Sequence, residues 1–226
     1  MPRELTPIKV AVRSASRKLA GITRARRPML FPTYSDDVRK RIEQYHDDVR
    51  YSTLALALQR IQIDQIGGSF AEVGVYQGAT SLFIHKQCPD RTLFLFDTFE
   101  GFQSQDMENG RDDRFKDTSV AAVKKLLGDT PTLRFRQGHF PETSIGLEGE
   151  KFSFVMLDVD MYQPSLEVFR FFYPRLTRGG YFFMHDYNSA ESERAVSRAA
   201  HTYMSDKPEL LVEIPDYFGT ALFRKI

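Results

Sequence analysis

The stretch Ser69-Phe-Ala-Glu-Val-Gly-Val-Tyr-Gln-Gly-Ala-Thr-Ser81 restricts this chain to few folds. An apolar run, Phe70 to Val75, ends in glycines and passes into Ala79-Thr-Ser-Leu-Phe-Ile84, whose composition is helical. Strand, tight turn and helix in that order open an α/β nucleotide-type unit. Gly74 and Gly78 let backbone approach a ligand where a Cβ would clash, and the helix start directs free N–H groups at it. Glu72 sets this unit apart. A carboxylate near the end of a central strand repels a pyrophosphate and suits a ligand carrying an ammonium or a sulfonium. Two glycines without a full Gly-x-Gly-x-x-Gly also fit an ordinary βα turn, so the remaining strands decide.

Thr92-Leu-Phe-Leu-Phe96 is a continuous apolar run, as in a buried parallel strand, and ends in Asp97. An acid at the second strand's tip, about twenty residues past the glycine turn, accepts from the two hydroxyls of a ribose; otherwise it caps the next turn. Leu133-Arg-Phe-Arg-Gln137 alternates like an edge strand. His139 follows it, either within reach of cofactor or substrate or packed on the adenine side. Phe152 to Leu157 is a fourth strand that delivers Asp158 and Asp160. Arg178-Gly179-Gly180 turns into a fifth, Tyr181 to Met184, that delivers His185 and Asp186. Acids at adjacent strand tips lie on the ligand-binding side of such sheets, where they either hold a hard divalent cation through oxygen or cap the helices that follow. Asp158 and Asp186 are the candidates, with Asp160 in support.

Around this frame, Ser35 caps a helix running to Tyr45, and a second helix, Tyr51 to Ile66, carries Leu54, Leu58, Ile61 and Gln65 on one stripe. These helices suit a lid over the first strand's carboxyl end or a cover for the sheet edge. Residues 103–118 are polar and aperiodic, as in a lid or substrate loop. Helices are expected from Thr118 or Ser119 to Leu127, from Pro164 to Leu176 and from Glu191 to Met204. The last strands, Leu210 to Ile214 and Phe218 to Arg224, pair without a helix between them, which adds one antiparallel strand to a mostly parallel sheet. The expected organisation is a basic arm (1–32), a helical lid (33–68) and a Rossmann-like domain (69–226).

Residues 1–30 carry +7 of charge, leaving −6 on the rest of the 226 residues. This arm lacks an apolar signal core, and Pro7 to Gly21 can form a short basic helix. A solvated arm or a strap onto a second subunit fits it better than a nucleic-acid or membrane tether, so a homo-oligomer is expected and a nucleic-acid partner is not. No apolar run approaches the ~18 residues of a membrane span. The single cysteine, Cys88, excludes a disulfide framework and points to a reducing, cytoplasmic setting.

Taken in order, Phe70-Ala-Glu-Val-Gly-Val-Tyr-Gln-Gly, Phe96-Asp-Thr-Phe-Glu-Gly-Phe, Gly138-His-Phe-Pro-Glu-Thr, Leu157-Asp-Val-Asp-Met-Tyr, Tyr173-Pro-Arg-Leu-Thr-Arg-Gly-Gly-Tyr and His185-Asp-Tyr-Asn resemble the macrocin/mycinamicin-type (TylF-like) O-methyltransferases. The resemblance covers roughly residues 35–226 and implies a seven-stranded class I methyltransferase sheet with S-adenosylmethionine (SAM) as donor. It also implies a divalent cation, Mg²⁺ or Mn²⁺, holding a sugar or related diol. By the family pattern Glu72, Gly74 and Gly78 surround the methionine part and Asp97 takes the ribose. Thr98, Phe99, Glu100 and His139 belong to the cofactor side, and Asp158 and Asp186 to the metal. One departure stands out: His185-Asp186 replaces a pair of acids, and imidazole suits Mn, Fe, Co or Zn better than Mg. His185 is then a third ligand, a metal-free base, or a buried histidine bonded to its neighbours with neither role, and Asp158 both ligand and base. The implied activity is O-methylation of a hydroxylated small molecule, a sugar or glycosylated natural product. A catalytically silent SAM-binding regulator or scaffold uses the same letters. An NAD-dependent oxidoreductase is opposed by Glu72 and the missing third glycine.

Overall fold

The computed structural model describes residues 34–103, 106 and 114–226. The basic arm, with its expected helix from Pro7 to Gly21, and most of the 103–118 loop lie outside them. Two helices come first, α1 (Asp36–Ile42) and α2 (Asp48–Ile63), capped by Ser35 and Asp47, which accept from the N–H groups of Val38 and Arg50 at 3.4 and 3.1 Å. Then follow β1 (Ser69–Val73), α3 (Ala79–Gln87), β2 (Leu93–Asp97), α4 (Val120–Leu127), β3 (Leu133–Gln137), β4 (Phe152–Leu157), α5 (Tyr162–Phe172), β5 (Leu176–Met184), α6 (Ala195–Met204), β6 (Val212–Glu213) and β7 (Ala221–Arg224).

The strands form the expected seven-stranded sheet, in the order β3-β2-β1-β4-β5-β7-β6. Crossovers keep the first five parallel, through an α-helix except from β3 to β4, where a 3₁₀ turn (Glu142–Ser144) lies between them, and β7 alone runs antiparallel to its neighbours β5 and β6. Strand order reverses between β1 and β4, which opens a crevice at their carboxyl ends. β3 and the two-residue β6 are the edges.

Both faces are covered, which is why the central strands are apolar throughout. Phe152, Val155 and Leu157 of β4 pack toward Phe169 and Phe172 of α5 and Val196 of α6. Phe154 and Met156 pack the other way, with Leu54, Leu58 and Phe83. Ten phenylalanines are exposed by 1% or less, so truncating one to alanine costs about 3–5 kcal/mol. Leu54, Leu58 and Ile61 are fully buried, so α2 covers a face of the sheet rather than its edge, and Tyr34–Ile226 forms one compact unit. Gln65, expected on that stripe, lies beyond the helix in left-handed backbone (φ 54°).

Several boundaries differ from expectation: the second helix runs Asp48–Ile63, the helix after β4 ends at Phe172, and the last strands shorten to Val212–Glu213 and Ala221–Arg224. Two further shifts have a visible local cause. β5 starts at Leu176, because Gly179-Gly180 forms a bulge within the strand instead of a turn before it; pairing jumps from Phe152–Leu176 to Phe154–Tyr181. Helix α6 starts at Ala195, because Glu193 and Arg194 are left-handed. No described helix is long and apolar enough to cross a membrane.

One contact fixes β1 against β4 beyond the ladder. Gly74 has φ +89°, and a Cβ there would lie 1.9 Å from the Asp158 carbonyl oxygen. Gly74→Ala should therefore cost about 3 kcal/mol or more in urea unfolding, whereas Gly149→Ala, which meets nothing within 4 Å, should stay within about 0.5 kcal/mol.

Candidate active site

A cavity of about 430 Å³ opens at the carboxyl ends of the parallel strands. It brings together Glu72, Gly74, Asp97, Thr98, His139, Asp158, His185 and Asp186. Gly78, Phe99 and Glu100 fall outside its lining. The side-chain space at Gly78 is occupied by protein, with Val123 Cγ1 of α4 only 2.8 Å from a Cβ there. Phe99 is buried beside Phe135, ring centroids 6.3 Å apart, and Glu100 is exposed.

Asp97 clamps the glycine turn. One carboxylate oxygen accepts from the N–H groups of Val75 and Tyr76 at 2.7 and 2.8 Å, and the other from Phe99 N–H at 2.6 Å. Glu72, 1% exposed, accepts from the Ser81 hydroxyl. Burial pushes its carboxyl up to about 8, against the opposing effect of that hydrogen bond and with reinforcement from Asp158 and Asp97. Glu72 is thus largely uncharged near neutrality, even though the Arg50 charge works against the shift.

The described ends of the 103–118 loop line the same cavity. Phe115 stands edge-on to Tyr76 and to Phe102, 5.1 Å from each, and the Tyr76 hydroxyl donates to Asp117 at 2.8 Å. His139 lies between Asp106 of that loop and Glu142, at 2.9 and 2.7 Å. Burial works against its proton, but the two acids hold its pKa above the ordinary value.

Asp158, His185 and Asp186 present ligand atoms within 4.8 Å of one another. His185 Nδ1–H is shared between Asp158 Oδ1 at 2.9 Å and Asp186 Oδ2 at 2.7 Å. Burial disfavours the imidazolium, yet the two carboxylates outweigh it and raise His185 to about 10. Asp186 is held below the carboxylate range by His185 despite its burial. Burial, with Asp158 and Asp186 nearby, keeps Asp160 protonated well above that range, and it hydrogen-bonds Asp186. At neutral pH the cluster is an imidazolium between two carboxylates, with a neutral acid alongside. This donor set fits a small divalent cation, which would take the place of the His185 proton. Tyr76, Asp160 and Asp186 at these tips all have left-handed backbone, φ 50–59°, the kind of strain that gathers at functional sites.

Sequence reasoning missed Arg50, Tyr51 and Phe218, which also line the cavity. Tyr51 reads as the first residue of a helix and Arg50 as lying just before it. Phe218, whose ring lies 5.2 Å from His185, reads as the start of a strand.

Residues 45–209 match the macrocin-O-methyltransferase (TylF) family. The chain belongs to that family. Among similar proteins, mycinamicin III 3''-O-methyltransferase of Micromonospora griseorubida is 27% identical over 160 residues, 61% of this chain and 62% of that enzyme. The match thus spans less than two-thirds of its length. The 8-demethyl-8-(2,3-dimethoxy-alpha-L-rhamnosyl)-tetracenomycin-C 4'-O-methyltransferase of Streptomyces olivaceus is 25% identical over 194 residues, 77% of this chain and 72% of its own. The O-methyltransferase NovP shares the fold at TM-score 0.67 and 20% identity, over 79% of this chain and 80% of NovP. So does the SAH-bound methyltransferase PaMTH1 of Podospora anserina, at TM-score 0.59 and 12% identity, over 100% of this chain and 99% of PaMTH1.

Glu72 gives a pH signature. Its folded pKa of about 8 lies above the ordinary 4.5, so its contribution to stability is complete below 4.5 and is lost as pH rises through 8. Unfolding midpoints of wild type and Glu72→Gln should coincide near pH 4 and then diverge. Wild type should lose up to about 1.4 kcal/mol per pH unit relative to the variant.

Proposed function

We propose that this chain is a SAM-dependent O-methyltransferase that methylates a hydroxyl on the sugar of a glycosylated small molecule. One observation carries the reading: a single cavity holds Glu72 and Asp97, suited to the ammonium and ribose of SAM, together with Asp158, His185 and Asp186, suited to an alcohol that must lose a proton. The relatives' names support a sugar acceptor, since one acts on a rhamnosyl tetracenomycin.

In the transfer, the acceptor oxygen attacks the methyl carbon in line with the carbon–sulfur bond. That bond breaks and the sulfonium becomes a thioether. The leaving group is already activated, so alignment of oxygen, carbon and sulfur is the main demand. The hydroxyl proton needs an acceptor. In the metal-free site His185 is already protonated at neutral pH, which leaves Asp158, oriented by the His185 N–H, as the base. Asp158, His185 and Asp186 would hold a divalent cation, whose charge lowers the pKa of a bound hydroxyl. Phe218 and Phe115 supply apolar wall.

Asp158→Asn should lower methyl transfer to a rhamnoside panel by about 10³-fold, in the range of a lost general base, while SAH affinity by calorimetry stays within about 3-fold of wild type. Full turnover by that variant sinks the role. Mn²⁺ titrated into chelator-stripped protein at pH 7 should bind with release of about one proton, contributed by His185. Asp158→Asn and Asp186→Asn should abolish that binding.

A further inference from the structure

Tyr217 and Phe218 are neighbouring aromatic side chains that the fold leaves largely uncovered, 83% and 44% exposed. Both belong to the turn between β6 and β7, Ile214-Pro-Asp-Tyr-Phe-Gly-Thr220. Their rings meet edge to face, with centroids 5.0 Å apart. Aromatic rings held side by side in solvent forgo the stabilisation of burial, and an apolar patch of this kind marks a place where something docks.

The turn that carries them is closed on itself and tied to the end of β5. Ile214 N–H donates to the Thr220 carbonyl at 2.9 Å, and Thr220 N–H donates to Asp216 Oδ1 at 2.6 Å. Asn188 belongs to the segment that follows His185 and Asp186. Its N–H donates to the Gly219 carbonyl at 3.1 Å, and its side-chain amide donates to Glu213 Oε2 at 2.6 Å. Gly219 has φ +72°, and a Cβ there would lie 2.7 Å from Asn188 Cβ, so the turn sits directly on that segment. The two rings are thereby held in register with the Asp158–His185–Asp186 cluster. Phe218 lines the cavity, its ring 5.2 Å from that of His185. Tyr217 lies outside the lining.

This order of groups dictates the order of an acceptor laid along them. A hydroxyl that reacts beside Asp158 is carried by the sugar, so the sugar ring is the part that reaches Phe218. The C–H face of a pyranose is apolar and slightly positive, which suits the negative face of an aromatic ring. About one sugar ring farther out stands Tyr217, where the group that bears the sugar emerges into solvent. We infer that Phe218 and Tyr217 form a two-part acceptor platform, in which Phe218 stacks on the sugar being methylated and Tyr217 on the apolar aglycone attached to it. This assignment rests on the sugar acceptor proposed above and adds that the enzyme selects for the aglycone as well as the sugar.

The test is steady-state methyl transfer by the full chain, with Mn²⁺ supplied, to methyl α-L-rhamnoside and to naphthyl α-L-rhamnoside. Wild type should show a KM about 10-fold lower for the naphthyl glycoside, the size of one well-made aromatic contact. Tyr217→Ala should cut that preference to about 2-fold, and Tyr217→Phe should retain it, because the ring and not the hydroxyl makes the contact. Phe218→Ala should raise KM for both glycosides about 10-fold and leave their ratio near the wild-type value. S-adenosylhomocysteine affinity should stay within about 2-fold of wild type in every variant. A wild type that does not distinguish the glycosides, or a Tyr217→Ala variant that keeps the full preference, overturns the aglycone contact. An unchanged KM in Phe218→Ala overturns the sugar contact; should that variant not fold, Phe218→Leu, which keeps apolar volume without a ring, decides by the same KM. A wild type that binds S-adenosylhomocysteine and methylates neither glycoside overturns the sugar reading, and the platform falls with it.

Discussion

Gly74 lies so close to the Asp158 carbonyl that nothing larger fits, and the tips of β1 and β4 are thereby a single object. Backbone hydrogen bonds extend that union past the ends of the strands. Gly138 donates to Asp97, Gly74 to Phe96, Asp158 to Val73 and His185 to Leu157, each at 2.9 Å. Every parallel strand is thus stitched to its neighbour at the level of the cavity. In-line transfer tolerates little error in the placement of its three atoms. A row of tips that moves as one body meets that demand without help from the loops.

Most polar groups on this row satisfy one another before any ligand arrives; the buried His185 Nε2 has no partner among the described residues. His185 supplies the positive charge between Asp158 and Asp186, and Asp160 keeps a proton where a further negative charge would be costly. Removing one partner from such a buried network leaves another uncompensated, a larger penalty than the network's own net value. This is why single substitutions here report on chemistry only when volume and hydrogen-bonding capacity are kept, as in an Asp-to-Asn change.

Much of this was legible in the letters. Apolar runs that end in acids mark parallel strands buried on both faces, so β1, β2 and β4 and the residues at their tips could be placed from local pattern alone. What failed depends on neighbours distant in sequence. Gly78 makes room for Val123, and Gly74 for Asp158, whereas a sequence suggests only that some close approach occurs. Gly179-Gly180 has the composition of a turn, and only pairing against β4 shows it to be a bulge. Arg50 carries no periodic signal, because one residue in the first turn of an amphipathic helix faces core, solvent or ligand according to where the helix docks.

The two edges of the sheet have a consequence for association. At one end β3 alternates Arg134 and Arg136 with Leu133 and Phe135; at the other, β6 is two residues long. A flat apolar edge invites a neighbouring chain to add a strand, and charge or brevity denies it the template. Both edges of this sheet resist growth into fibrils or sheet-extended dimers, so copies of the protein at high concentration gain little by meeting edge to edge.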